Sequence, residues 1–153
     1  KELREKIKAV SWNQVQITSC SHLVVILAKI KEVKVGSSYI DKMIARRADK
    51  NIEAIAARQK FFLLSNFKND DELTFQWSHE QCMIAATNMM NAAASLGIDS
   101  CPMEGFDRHA LNEILGLDES EQRVAIVVPF GYRLNPQPEK LRRQRSEVVT
   151  WIY

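Results

Sequence analysis

The chain has 153 residues, 46% of them hydrophobic and 26% charged, with a formal net charge of +2 at neutral pH. This suits one globular domain with a real hydrophobic core, and so balanced a total supplies no global field for recruiting nucleic acid. The longest apolar run, around Leu23–Ala28, is too short to span a membrane, and no secretory leader is visible.

Lys1–Ser11 reads as a short amphipathic helix, with Leu3, Ile7 and Val10 at helical spacing among charges. Helical character starts at once on a residue that is not methionine, as expected of one domain over 1–153 truncated at its N-terminus. Trp12-Asn13-Gln14-Val15-Gln16 breaks the period, and Ser21–Ile30 is a β-branched, apolar run that reads as a strand buried on both faces. Gly36-Ser37-Ser38 marks a break, after which Tyr39–Ser65 is helix-rich and free of proline and glycine. Asn69-Asp70-Asp71 supplies a cap signal.

Phe75–Leu96 is the strongest helix pattern, with Gly97 as its C′ residue. Its Ile84, Ala85, Met89, Ala92 and Ala93 predict a close-packed, buried helix. Ile98–Phe106 is loop-like, Asp107 caps a helix through Leu115 that Gly116 closes, and Arg123–Phe130 is a second buried strand. Asn135-Pro136-Gln137-Pro138 is an extended linker before a basic run, and Val148–Tyr153 has the makings of an edge strand. Two strands among long helices predict an α+β layer arrangement. A two-stranded sheet is marginal alone, so further strands must come from the tail, a missing segment or a partner.

The signatures of a P-loop, HExxH, GxSxG and GxGxxG are absent. His22, His79 and His109 lie far apart and share no metal-ligand spacing with cysteine or carboxylate, so they read as structural or solvated and no metal is expected. Cys20, Cys82 and Cys101 are odd in number and form no CxxC, the usage of reduced thiols in a cytoplasmic protein.

Four features bear on function. In Cys101-Pro102-Met103-Glu104-Gly105-Phe106-Asp107, proline fixes the backbone and Gly105 lets a flat ligand approach the main chain, although from pattern alone an ordinary connection is the better account. Arg133, Lys140, Arg142, Arg143 and Arg145 crowd one segment. Such a run grips a phosphate through charge-assisted hydrogen bonds or is simply a solvated charge run; nucleic-acid contact is a weaker reading, since no binding motif accompanies it. The amides of Trp12–Gln16 suit polar ring edges and suit turn stabilisation equally well. Phe61 and Phe62 cannot both face inward on one helix, so one of them is placed to cover a neighbouring cavity.

Together and in this order, these features resemble the nitroreductase family of flavoenzymes over nearly the whole chain. The most telling stretch is Asn88–Asp107, which is similar to the family's central helix and flavin-edge loop. Trp12–Ala28 resembles its Asn-containing turn and following strand, and Lys140-Leu141-Arg142-Arg143 its C-terminal Lys-x-Arg phosphate clamp. The resemblance implies an α+β fold with a central sheet flanked by long helices, in an intertwined homodimer with FMN at the subunit interface. It implies an oxidoreductase moving electrons from NAD(P)H to nitroaromatics, quinones or similar flat acceptors by a ping-pong mechanism.

The chemistry would sit on flavin N5, with no catalytic side chain. Pro102, Met103, Glu104 and Gly105 would line the isoalloxazine, Asn13 would meet its pyrimidine edge, and Gln16 stands where some members carry lysine. Lys140 and Arg142 would hold the FMN phosphate, Phe62 would cover the substrate face, and Arg46 or Arg47 would help with the nicotinamide cofactor. The family's N-terminal Arg-x-Ser/Thr-x-Arg motif, Pro-Ser-Ser turn and Pro-Trp strand do not occur here. The alternative reading is therefore a noncatalytic helical interaction fragment of that fold, unable to hold flavin.

Overall fold

The structure is a computed structural model that describes residues 1–46 and 51–152. Its centre is strand β3 (Gln122–Gly131), whose residues Val124–Val128 are all buried. Strand β1 (His22–Lys29) pairs antiparallel with one edge of β3, from His22 opposite Phe130 to Lys29 opposite Gln122. The register slips by one residue between Ile26 and Leu27, where β3 carries Ala125 as an extra residue. Such a bulge re-aims successive side chains. It lets Val124 and Val127 join the core on one side while Ala125, Ile126 and Val128 join that on the other.

The other edge of β3 takes strand β2 (Asp99–Ser100), with Asp99 opposite Gly131, and then an isolated bridge between Met103 and Val127. The third strand therefore lies inside the segment expected to be loop. Val148–Tyr153, the expected edge strand, forms none over its described residues. Val148 instead ends the short helix α7 (Arg145–Val148), and residues 149–152 are exposed with no strand beside them. The expectation for β1 also needs correcting: it is half-buried along most of its length, because it is an edge strand of the order β1-β3-β2.

Helix α1 (Glu2–Ala9), the short α2 (Gln16–Ser19) and α6 (Arg108–Ile114) cover one sheet face through Ile7, Ile17 and Leu111. Helix α5 (Asp71–Ser95) covers the other. Between β1 and α5 come a 3-10 turn (Lys31–Val33), α3 (Ser38–Ala45) and α4 (Ile52–Phe67). Caps set these boundaries. Ser37, Asn51, Asp70 and Asp107 each accept from the N–H three residues on, at 3.3, 3.1, 2.9 and 3.0 Å. Gly97 and Gly116 take φ of +74° and +65° just past α5 and α6, as their expected closing role requires.

The inward stripe of α5 is Phe75, Ser78, Cys82, Ala86, Met90 and Ala93. Of the five residues expected at close-packing positions only Ala93 is buried; Ile84 is 59% exposed, and Ala85, Met89 and Ala92 are exposed as well. The helix is apolar on two faces, and the sheet takes only one. At the N-terminus of α5, Trp77 gathers Phe67 and Phe62 from α4, with ring centroids 5.4 and 6.3 Å away.

Asn112 ties α6 to the sheet. Wholly buried, it accepts the Val124 N–H through Oδ1 at 2.9 Å and donates from Nδ2 to Glu119 at 3.0 Å. Replacing it by alanine leaves that strand N–H buried without an acceptor. Asn112→Ala should lose about 1–3 kcal/mol of unfolding free energy in a urea titration.

Candidate functional site

The loop after β2 is held at both ends by main-chain hydrogen bonds. The Cys101 N–H donates to Pro129 O at 3.2 Å, Met103 and Val127 exchange bonds of 2.9 and 3.1 Å, and the Asp107 N–H reaches Val10 O at 2.8 Å. Within the loop the Phe106 N–H bonds Glu104 O at 2.9 Å. Among the described residues, the N–H groups of Glu104 and Gly105 have no acceptor. Two adjacent unspent donors on a pinned loop are open to water or to a ligand's acceptor, since a main-chain N–H needs a partner wherever water is excluded.

A second turn meets this loop. Trp12 and Asn13 both take left-handed backbone angles, φ 52° and 54°, which non-glycine residues seldom adopt. The Asn13 N–H is bonded to Lys8 O at 3.1 Å, and Gln14 Nε2 donates to Gly105 O at 2.9 Å. The Trp12 ring lies over Gly105 so closely that a Cβ there would be 2.7 Å from it, yet Trp12 is 78% exposed overall. Gly105 does admit a flat group against the main chain, and in this structure that group is the Trp12 indole.

The expected residues divide as follows. Asn13, Pro102, Glu104 and Gly105 share the meeting of the two turns, and Pro102 and Glu104 are exposed there. Met103 is only 3% exposed and packs with Ile7, Ile17 and Leu111, so only its main chain is left for a ligand. Gln16 lines a separate cleft of 630 Å³ beside Cys101, Phe130, Tyr132 and Arg133. Phe62 is 45% exposed within the Trp77 cluster, while Phe61 is 73% exposed. Arg46 is exposed and turned to Met43 Sδ at 3.7 Å; Arg47 lies outside the described residues.

Lys140 and Arg142 are exposed, and no hydrogen bond or ion pair ties described residues beyond Arg133 to the body. Among the described residues neither is hydrogen-bonded to the loop. Reasoning from sequence missed Trp12 and Gln14, the two side chains that join the turns. Gly105, singled out for close approach, was the signal that something flat must stand against it.

The other charged groups near the site are structural. Arg133 grips Asp99 through its side chain and its N–H, holding the Asp99 carboxyl below the ordinary carboxylate range. His109 is raised, chiefly by its 2.7 Å hydrogen bond to Glu119. Burial pushes the Cys82 thiol up. Among the described residues no three His, Cys, Asp or Glu side chains are grouped as a metal site, and no helix is long and apolar enough to cross a membrane.

The profile of the Nitroreductase family matches residues 1–132. The chain belongs to the nitroreductase family. It is 40% identical over 162 residues to a Staphylococcus saprophyticus protein named "Putative NAD(P)H nitroreductase", covering 99% of this chain and 73% of that one. A Haemophilus influenzae protein of the same name is 38% identical over 161 residues, with the same coverage.

The nitroreductase-like fold is shared with solved structures of lower identity. A nitroreductase-like protein of Streptococcus mutans superposes with TM-score 0.81 at 19% identity, covering 99% of this chain and 72% of that one. An Exiguobacterium sibiricum protein crystallised in complex with FMN superposes with TM-score 0.76 at 14% identity, with the same coverage. In this nitroreductase-family chain, the loop running into Asp107 and the turn at Trp12 are the parts that the fold brings together.

Two measurements check this geometry. Gly105→Ala must displace the exposed indole, which can swing outward. Its tryptophan emission should shift relative to the parent, with a stability loss of about 1 kcal/mol or less, and the shift should vanish when Trp12→Phe is the background. The Asp99 link stabilises above the unfolded-state carboxylate pKa and is lost as pH falls through the lower folded value. The gap in melting temperature between parent and Asp99→Asn should therefore close as pH is lowered from about 5 to about 2.

Proposed function

We propose that this chain is an FMN-dependent oxidoreductase that moves electrons from NAD(P)H to nitroaromatics, quinones or similar flat acceptors, the two substrates taking turns in a ping-pong cycle. The observation that carries this reading is the pair of unspent N–H groups at Glu104 and Gly105, which matches a planar heterocycle with acceptors along one edge. FMN, when bound, supplies the electron carrier that no side chain here provides.

The chain's own residues would hold and shield that group. Pro102, Met103, Glu104 and Gly105 would lie along the isoalloxazine, with the side chain of Met103 serving only as the anchor that keeps the main chain in place. Asn13, whose side chain makes no hydrogen bond among the described residues, would meet the pyrimidine edge, and Gln16 would bond from its cleft. Gln14 fixes the separation between turn and loop, and the Trp12 indole would exclude water beside Gly105. Phe62 would form part of the wall over the acceptor.

Among the described residues Lys140 and Arg142 have no acidic partner, and they would hold the phosphate. For them to do so we place the protein as a homodimer in the cytoplasm with FMN at the subunit interface. Support for the dimer comes from the outer face of α5, which leaves Ile84 and Met89 exposed, and from a C-terminal segment without ties to its own body. The lack, among the described residues, of any hydrogen bond from Lys140 or Arg142 to the loop favours the alternative, a noncatalytic interaction fragment.

Colour decides between them. Purified or FMN-reconstituted protein should show oxidised-flavin absorption that NADH or NADPH bleaches, and Lys140→Ala and Arg142→Ala should each weaken FMN binding by about tenfold or more, as loss of a charged hydrogen bond does. Protein that stays colourless in excess FMN supports the fragment.

A further inference from the structure

His79 faces the loop from the inner side of α5. Its Nε2 is shut off from solvent and has no hydrogen-bond partner among the described residues, an arrangement that costs stability unless something answers it. Glu104 Oε2 lies 3.7 Å from it, less than 1 Å beyond the roughly 2.9 Å of a normal hydrogen bond. One side of the imidazole is set by Phe75, with ring centroids 5.8 Å apart. Phe75 in turn is clamped by Arg108 from α6 and Arg123 from β3, whose guanidinium carbons lie 5.3 and 5.0 Å from its centroid.

The ring is thus backed by this stack while its Nε2 lies toward Glu104, one of the two loop residues whose N–H is also unspent. The charged groups around it are Glu104 on the loop, Arg108 and Arg123 beyond Phe75, and Glu80 next to it on its own helix.

We propose that His79 is a positioning residue: its Nε2–H holds the Glu104 carboxylate, and through it sets the direction of the Glu104 and Gly105 N–H groups. A small movement of the Glu104 side chain, which is more than half exposed, completes the bond; the main chain is held at Glu104 O by the Phe106 N–H and at Gly105 O by Gln14 Nε2, so the movement needed is the side chain's. The consequence for the cofactor rests on the proposed FMN reading; the consequence for the loop does not.

The test separates donor from ring. His79→Gln keeps an N–H near the same place, whereas His79→Phe keeps the packing against Phe75 and removes the donor. In amide NMR spectra of the full chain without FMN, the Glu104 and Gly105 signals should move in His79→Phe and return toward parent positions in His79→Gln. In the Glu104→Ala background the Gly105 signal should be indifferent to either change, which keeps the test open should His79→Phe fold poorly. With FMN added, His79→Phe should bind about tenfold more weakly and His79→Gln within about twofold of parent.

Amide signals that stay put in His79→Phe, or that move equally in His79→Gln, overturn the proposal. If the signals respond as expected and the parent takes up no FMN, the positioning role is supported and the cofactor reading fails.

Discussion

Met103 exchanges both main-chain hydrogen bonds with Val127, at 2.9 and 3.1 Å, and this isolated bridge decides where the loop can stand. Val127 is in the middle of the buried central strand, so its position is set by cores on both sides of the sheet. Met103 then drops its side chain among Ile7, Ile17 and Leu111 and becomes part of the same packing. With that residue locked, Pro102 on one side and Glu104 and Gly105 on the other are held in place beside it, and Glu104 and Gly105 keep unspent main-chain donors. A site built this way owes its geometry to the core and not to the flexibility of its loop.

The same constraint accounts for the strained turn opposite. Two successive non-glycine residues in left-handed conformation cost of order 1–3 kcal/mol each and persist only where the surroundings over-determine them. Here the surroundings are identifiable. Lys8 O and Ser11 O receive the N–H groups of Asn13 and Gln14, the Gln14 amide is fixed on Gly105 O, and the Asp107 N–H binds Val10 O. Two of these four bonds, Gln14 to Gly105 and Asp107 to Val10, cross to the loop and fix the turn against it. Gly105 is the residue that permits the approach, since any side chain there would meet the indole. Strain in the turn, the bareness of Gly105 and the lock at Met103 are one arrangement seen from three sides.

Much of this was readable in the sequence because it is locally encoded. Asp70 and Asp107 cap, Gly97 and Gly116 close, and the β-branched runs at Leu23–Ala28 and Val124–Val128 are extended, each by rules that involve only near neighbours. What escaped depended on distant partners. Asp99–Ser100 is a strand only because Phe130 and Gly131 offer an edge, and two residues give no periodicity to detect. Gln14 was passed over for Asn13 and Gln16 because nothing in the spacing says which amide faces Gly105, a residue 91 positions away. The inner stripe of α5 was misassigned because apolar residues occur all round that helix, so the period is visible and its phase is not.

Two surfaces that the described residues leave uncovered fit the proposed dimer. The outer face of α5 exposes Ile84 and Met89, and beyond Arg133 the chain carries Val148, Val149, Trp151 and Ile152 in the open along with its free cations. Ordering a segment costs about 1–2 kcal/mol per residue in backbone entropy, and contacts made only within residues 134–152 offer little to offset it. A second copy supplying a surface for both would bury apolar area on α5 and on the tail together, and would bring Lys140 and Arg142 against a body other than their own. The proposed phosphate clamp and the proposed dimer are therefore not independent: a chain that remained monomeric would keep its flavin-edge donors and lose the cations meant to hold the other end of the same molecule.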